Sequence, residues 1–315
     1  PWPPATGLMT ATAPINRQMR PVEWILLLTL SLVWAGSFLF NGIAVRELPV
    51  FTIVVGRVAI AAMILLLVLR WRGESLPRDP AVWRAFLVIG FLNNVLPFSL
   101  IVWGQGHISS GQASILNAMT PIFTVIMAHL LTRDEKMTPG RIAGILVGFA
   151  GVAVMLGAEI RAGSGITLAA QCALLGATIC YAVAVVFGRR FRSLGVSPMM
   201  TATGQVTMAS LILLPAWLLI DRPWSLPIPG PAAIMAVLAI ASLSTAFAYA
   251  LYFRVLSTAG ATNASLVTML IPPGAIIMGI LVLDETVLQR HLVGLALIIA
   301  GLLVTDGRIR LPRRG

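Results

Sequence analysis

Charge is what this sequence has least of. Only 10% of its 315 residues are Asp, Glu, Lys or Arg, against roughly a quarter in an average soluble protein, so a solvated globular domain is excluded. Acidic residues number 11, and from Glu23 and Glu47 to Asp306 each falls at or beyond the end of an apolar run. Cysteine is confined to Cys172 and Cys180; on one helix they stand about 12 Å apart by the helical rise, too far for a disulfide. There is no HExxH zinc motif, no acidic cluster for a magnesium-bound diphosphate and no Ser-His pair at helical spacing. No cofactor or metal is therefore expected, and an intramembrane enzyme is a remote reading. No charged ring or filter-like Gly-rich loop is repeated, which disfavours a channel.

Apolar residues are what the chain has in excess, at 58%. A hydrocarbon core about 30 Å thick needs roughly 20 apolar residues of helix. Ten such runs occur: 24–45, 49–69, 85–102, 111–131, 138–156, 166–187, 199–220, 232–253, 264–283 and 288–305. In lipid every backbone group must be satisfied within its own segment, so runs of this length are helices. The chain reads as an all-α integral membrane protein with ten transmembrane helices. The first run is too long, and too weakly bounded, for a cleaved signal. Residues 1–21 read as an N-terminal tail, with 1–8 as upstream sequence ahead of Met9.

The net charge of +11 is explained by its placement. Basic clusters such as Arg70 with Arg72, Arg189 with Arg190 and Arg192, and the tail 306–315 with Arg308, Arg310, Arg313 and Arg314 fall on one side. On the other side are only Arg46, Arg161, Arg222 and Arg290. This positive-inside bias places both termini in the cytoplasm. A bacterial-type inner membrane is expected, with an anionic leaflet and not nucleic acid as the partner of the basic residues.

The chain also repeats itself. Ala113-Ser114, Pro121, Asp134-Glu135, Gly144 and Gly151 recur as Ala264-Ser265, Pro272, Asp284-Glu285, Gly294 and Gly301. The repeat divides the chain into 22–158 and 159–305, each with five helices. An odd number of crossings makes the second copy enter from the opposite side. This is an inverted repeat, the architecture of secondary transporters, with the binding site near the midplane between the halves. A helix with an interior Pro, then Glu, then a Gly-containing last helix resembles the EamA module of the drug/metabolite transporter superfamily. The resemblance covers nearly all of 23–305 and includes Arg57. It implies a ten-helix permease with its pathway between the halves, and one branch it brings in is the amino-acid exporter (YddG-like) group.

Polar residues within spans are candidates for a pathway because lipid disfavours them. Trp34, Ser37 and Asn41 share one face of the first helix. On the third, Asn94, Phe98, Ile101 and Gln105 form a stripe; the aligned positions of the eighth are Thr245, Tyr249, Tyr252 and Leu256. Asn93 cannot share the face of Asn94 on a regular helix and is expected to bond a neighbouring helix. Arg57, the one charge deep in a span, suits either a substrate carboxylate or a polar lock between the halves. The resemblance implies an arginine here across different substrates, which favours the lock. Glu135 and Glu285 are expected to cap the helices that follow them. Gly144, Gly148 and Gly151 with Gly294 and Gly301 are expected to pack the fifth helix tightly on the tenth, with a homodimer seam as the alternative to a monomer. Pro121 and Pro272 are expected to be hinges near the middle of their helices.

The function these features predict is export of a small-molecule substrate, with amino acids bearing aromatic or apolar side chains as the leading class. A permease for other metabolites or lipophilic drugs is the alternative. Cationic drugs would call for a membrane carboxylate, which the spans lack. Transport independent of a carboxylate proton relay is expected.

Overall fold

The computed structural model of the chain describes residues 20–132 and 135–308. The N-terminal tail through Met19, Arg133 with Asp134, and the basic tail from Ile309 onward lie outside the described residues. Ten helices carry the fold: α1 (Pro21–Ala44), α2 (Val50–Trp71), α3 (Pro80–Gln105), α4 (Ser110–Leu131) and α5 (Pro139–Ala162). They are followed by α6 (Gly165–Gly188), α7 (Pro198–Ala216), α8 (Pro231–Ala259), α9 (Val267–Leu283) and α10 (Gln289–Thr305). Eight spans are long and apolar enough to cross a membrane, and α9 and α10 are shorter apolar helices. No strand occurs among the described residues.

Local chemistry sets the starts. Pro21, Pro80, Pro139, Pro198 and Pro231 open α1, α3, α5, α7 and α8, where a missing N–H leaves no helix bond unmade. Asp79, Thr138 and Ser197 cap three of these starts through side-chain oxygens. Several helices consequently outrun their apolar runs: α3 starts at Pro80, and α8 extends to Ala259. The exterior is apolar, with Leu32, Leu67, Leu146 and Leu281 exposed, as expected where lipid is the solvent.

Packing follows a pseudo-two-fold. α1 lies against α9 and α8, as α6 lies against α4 and α3; α2 pairs with α7, and α5 with α10. Each of these contacts between the repeats thus recurs, or maps onto itself, when the two repeats are exchanged. Ten crossings put Arg20 and Arg308 at one face, here the terminal face.

The α5–α10 seam is built on glycine. A Cβ on Gly301 would stand 2.5 Å from the Gly144 carbonyl oxygen, and one on Gly151 would stand 2.7 Å from that of Gly294, so the two backbones meet directly. Gly148 also turns toward Ile122 and Met119 of α4, and Gly140 faces open space.

The two prolines are not equivalent, which corrects the expectation of matched bends in helix interiors. α4 breaks at Ala118 and Met119, so Pro121 falls in the first turn of a second half, Thr120–Leu131. The Asn117 carbonyl accepts the Thr120 hydroxyl at 2.7 Å. Pro272 and Pro273 stay inside α9, and the chain turns earlier, at Ser265 and Leu266.

Candidate functional site

A second symmetric feature lies in α3 and α8. Each contains a stretch of wider π-helical winding, Phe91–Val95 in α3 and Ser242–Phe247 in α8, at aligned places of the two repeats. An inserted wide turn shifts the register of the residues after it, and such turns gather at functional sites. Here they swing polar side chains of both repeats into one cluster.

From α3, the Asn94 amide donates to the Tyr249 hydroxyl at 3.2 Å. Asn93 donates to Gln205 Oε1 of α7 at 3.1 Å and also reaches the Tyr249 hydroxyl at 3.4 Å. Asn93 bonds a neighbouring helix as expected, but the expectation that it cannot share the face of Asn94 is corrected: the wide turn brings both to the Tyr249 hydroxyl. From α8, Thr245 donates to the Ile240 carbonyl, five residues back, at 2.8 Å, and accepts from Arg57 Nε at 2.9 Å. Arg57, two turns into α2, lies with its guanidinium carbon 3.6 Å from the centre of the Phe98 ring, a cation–π contact. Arg57, Asn94 and Thr245 are buried, at 6%, 0% and 2% exposure. Thr245 stands where the sequence stripe of the eighth helix puts it, and Gln205 of α7, which joins the cluster through Asn93, carries no signal in the sequence.

Toward the terminal face the cluster gives way to aromatic rings. Trp34 and Tyr252 stand 5.6 Å apart between centroids, and Tyr249 stacks on Phe253 at 6.3 Å. Below them a cleft of about 260 Å³ opens between the ends of α1 and α8, lined by Arg20, Val22, Glu23, Leu26, Arg254 and Thr258.

Other candidates fall elsewhere. Asn41 donates to Gln105 Oε1 at 3.0 Å, and Gln105 donates to the Phe38 carbonyl at 2.8 Å, which ties α1 to α3 away from the cluster. Ser37 bonds the Trp34 carbonyl of its own helix at 2.7 Å. Glu285 caps not the helix after it but α4 of the other repeat, accepting from the Ser110 and Gly111 amides at 2.8 and 3.3 Å. Glu135 pairs with Arg189 and is not a cap among the described contacts, because Arg189 at the end of α6 stands beside it.

The face opposite the termini is closed by carboxylates crossing between repeats. Besides Glu285, Glu47 after α1 accepts from the Gly230 amide ahead of α8 at 2.5 Å. Asp221 after α7 accepts from the Thr52 amide of α2 at 2.6 Å. Glu159, buried near the end of α5, pairs with Arg290 of α10 at 2.6 Å; the sequence placed it beyond its span, and the longer helix buries it. These anions sit at or beside helix N-termini, whose unpaired amides and dipole favour them.

Comparison with known proteins gives one consistent answer. The EamA-like transporter family matches residues 22–157 and again 168–305. The uncharacterized transporter YoaV of Bacillus subtilis is 23% identical over 280 residues, covering 88% of this chain and 94% of that protein. A probable terminal-alkyne amino-acid exporter of Streptantibioticus cattleyicolor is 27% identical over 293 residues, covering 92% and 95%. One solved crystal structure superposes with a TM-score of 0.67 at 18% identity, over 93% of this chain and all of that one, a likeness of fold. Two copies of the family's repeat, ten helices and a polar cluster between the copies lead to one conclusion: this chain belongs to the EamA-like transporter family.

Proposed function

We propose that this membrane transporter exports amino acids with apolar or aromatic side chains from the cytoplasm, by alternating access between its two repeats in the inner membrane. The observation that carries the reading is the central cluster, to which α2 and α3 of one repeat and α7 and α8 of the other all contribute. Polar groups at this depth are costly unless they serve a pathway or a packing need. The Trp34–Tyr252 pair beside them offers a wall for an apolar side chain. With the basic connections on the cytoplasmic side, the cleft below that pair faces the cytoplasm and the carboxylate caps close the exterior. The amino-acid exporter among the relatives supports the same substrate class.

Counterflow of L-phenylalanine, L-leucine and L-alanine in proteoliposomes tests this reading. At least one is expected to be carried, with Tyr249→Ala reducing the rate by about tenfold, the equivalent of losing one good polar contact. Absence of counterflow for all three, with export of a neutral lipophilic drug instead, would transfer the protein to the drug-permease reading.

A further inference from the structure

Arg57 is a buried cation that pairs with no anion among the described residues. Its Nε is the one guanidinium nitrogen bonded to a described residue, Thr245, and the Phe98 ring covers its face. No carboxylate among the described residues forms an ion pair with it. The carboxylates Glu47, Asp221, Glu285 and Glu159 are engaged at the face opposite the termini. A lock between α2 and α8 needs only the Nε bond. The Nη1 and Nη2 donors make no hydrogen bond to the described residues, and arginine does not shed its charge. Two parallel donors on a planar fork match one carboxylate.

The cluster also holds an acceptor. Asn94 Oδ1 is buried with no hydrogen-bond partner among the described residues, as are the side-chain carbonyl oxygens of Asn41, Asn117 and Gln171 elsewhere, and Asn94 lies one helical turn from Phe98, the ring under Arg57. Unpaired buried acceptors are rare in native structures. An unmatched donor fork and an unmatched acceptor in the same cluster complement a molecule that carries a carboxylate and an amino group together.

We infer that Arg57 binds the carboxylate of the transported molecule and Asn94 Oδ1 accepts from its ammonium group, so that the site selects zwitterionic α-amino acids by their backbone groups. This rests on the cluster being the transport pathway, and it adds a substrate rule to that reading. The side chain then projects toward Trp34 and Tyr252, where an apolar group is tolerated without being read closely. Simple organic acids and simple amines each satisfy half of the pair and bind weakly.

The test is competition in proteoliposomes against counterflow of L-phenylalanine, or of L-leucine or L-alanine if that is the one carried. The competitors are the unlabelled amino acid, its amide, which lacks the carboxylate, and its des-amino acid, which lacks the ammonium group. Both analogues are expected to compete at least about tenfold more weakly, the loss of one charged contact. Arg57→Lys, which keeps the charge and loses the fork, is expected to weaken the amino acid and leave the already weak amide unchanged. Asn94→Asp places a carboxylate beside Arg57; it is expected to keep or raise the thermal midpoint in detergent and to abolish counterflow. If the amide competes as well as the amino acid, or if Asn94→Asp carries the substrate at the wild-type rate, the inference is overturned while the pathway reading stands. If the wild type carries no amino acid, the pathway reading fails first and this inference falls with it.

Discussion

Asp221, at the end of the wide turn that follows α7, holds Thr52 in the first turn of α2 by two contacts from one carboxylate oxygen, 2.6 Å to the backbone amide and 2.8 Å to the hydroxyl. Trp217 donates to that hydroxyl at 3.2 Å. The two residues belong to different repeats, so a helix cap, ordinarily a local device, here joins the halves. Glu47 and Glu285 do the same for α8 and α4. In each case a carboxylate meets the exposed amides and dipole of a helix start.

Asp221→Ala removes a charged cap and a hydroxyl partner together. A lost cap costs about 1 kcal/mol, so the thermal midpoint in detergent is expected to fall by a few degrees. Asp221→Asn, which keeps an acceptor, is expected to recover part of the loss. An unchanged midpoint in Asp221→Ala would show that the contact contributes nothing to holding the repeats together.

The glycine seam separates neighbouring positions sharply. Gly301→Val forces a side chain into the backbone of α5 at Gly144 and Gly148 and is expected to cost about 1–3 kcal/mol or more, the range for overpacking. Gly140→Val meets open space and is expected to leave the midpoint and the elution volume on size exclusion unchanged. Equal behaviour of the two variants would contradict the seam.

Pro121 and Pro272 differ in position, and their variants are expected to differ as well. Pro121 sits where a helix start has no bond to lose, so Pro121→Ala is expected to shift stability by no more than about 0.5 kcal/mol. At Pro272, inside α9, alanine restores an amide donor for the Thr268 carbonyl. Pro272→Ala is expected to raise the thermal midpoint and slow counterflow if the bend must flex during transport. A raised midpoint with wild-type counterflow would make the bend a fixed one.

Much of this was legible in the sequence for a physical reason. Spanning helices and the Gly144, Gly151, Gly294 and Gly301 spacing follow from one-dimensional patterns that lipid enforces. What escaped depends on register. The wide turns at Phe91–Val95 and Ser242–Phe247 carry no distinct composition, so Asn93 and Asn94 could not be placed on one partner from regular helical periodicity. The reach of Asp221, Glu47 and Glu285 across the repeats depends on which helix ends meet in space. A nearest-neighbour rule instead assigned Glu285 to the following helix.

The central cluster has no carboxylate among the described residues that contact Arg57, Asn94 or Tyr249. Counterflow is therefore expected to persist when a protonophore collapses the pH gradient. Strict dependence on that gradient would require a titrating group in the pathway and would sink the proposed absence of a proton relay.

The claim that substrate passes between the repeats beside Tyr252 is tested most directly by alkylation. In a background with Cys172 and Cys180, both free, replaced by serine, Tyr252→Cys is labelled with N-ethylmaleimide with and without the transported amino acid. The substrate is expected to slow labelling of Tyr252→Cys several-fold while leaving Trp71→Cys, exposed at the end of α2 and away from the cleft, unaffected. Equal labelling rates at position 252 with and without substrate would place the pathway elsewhere.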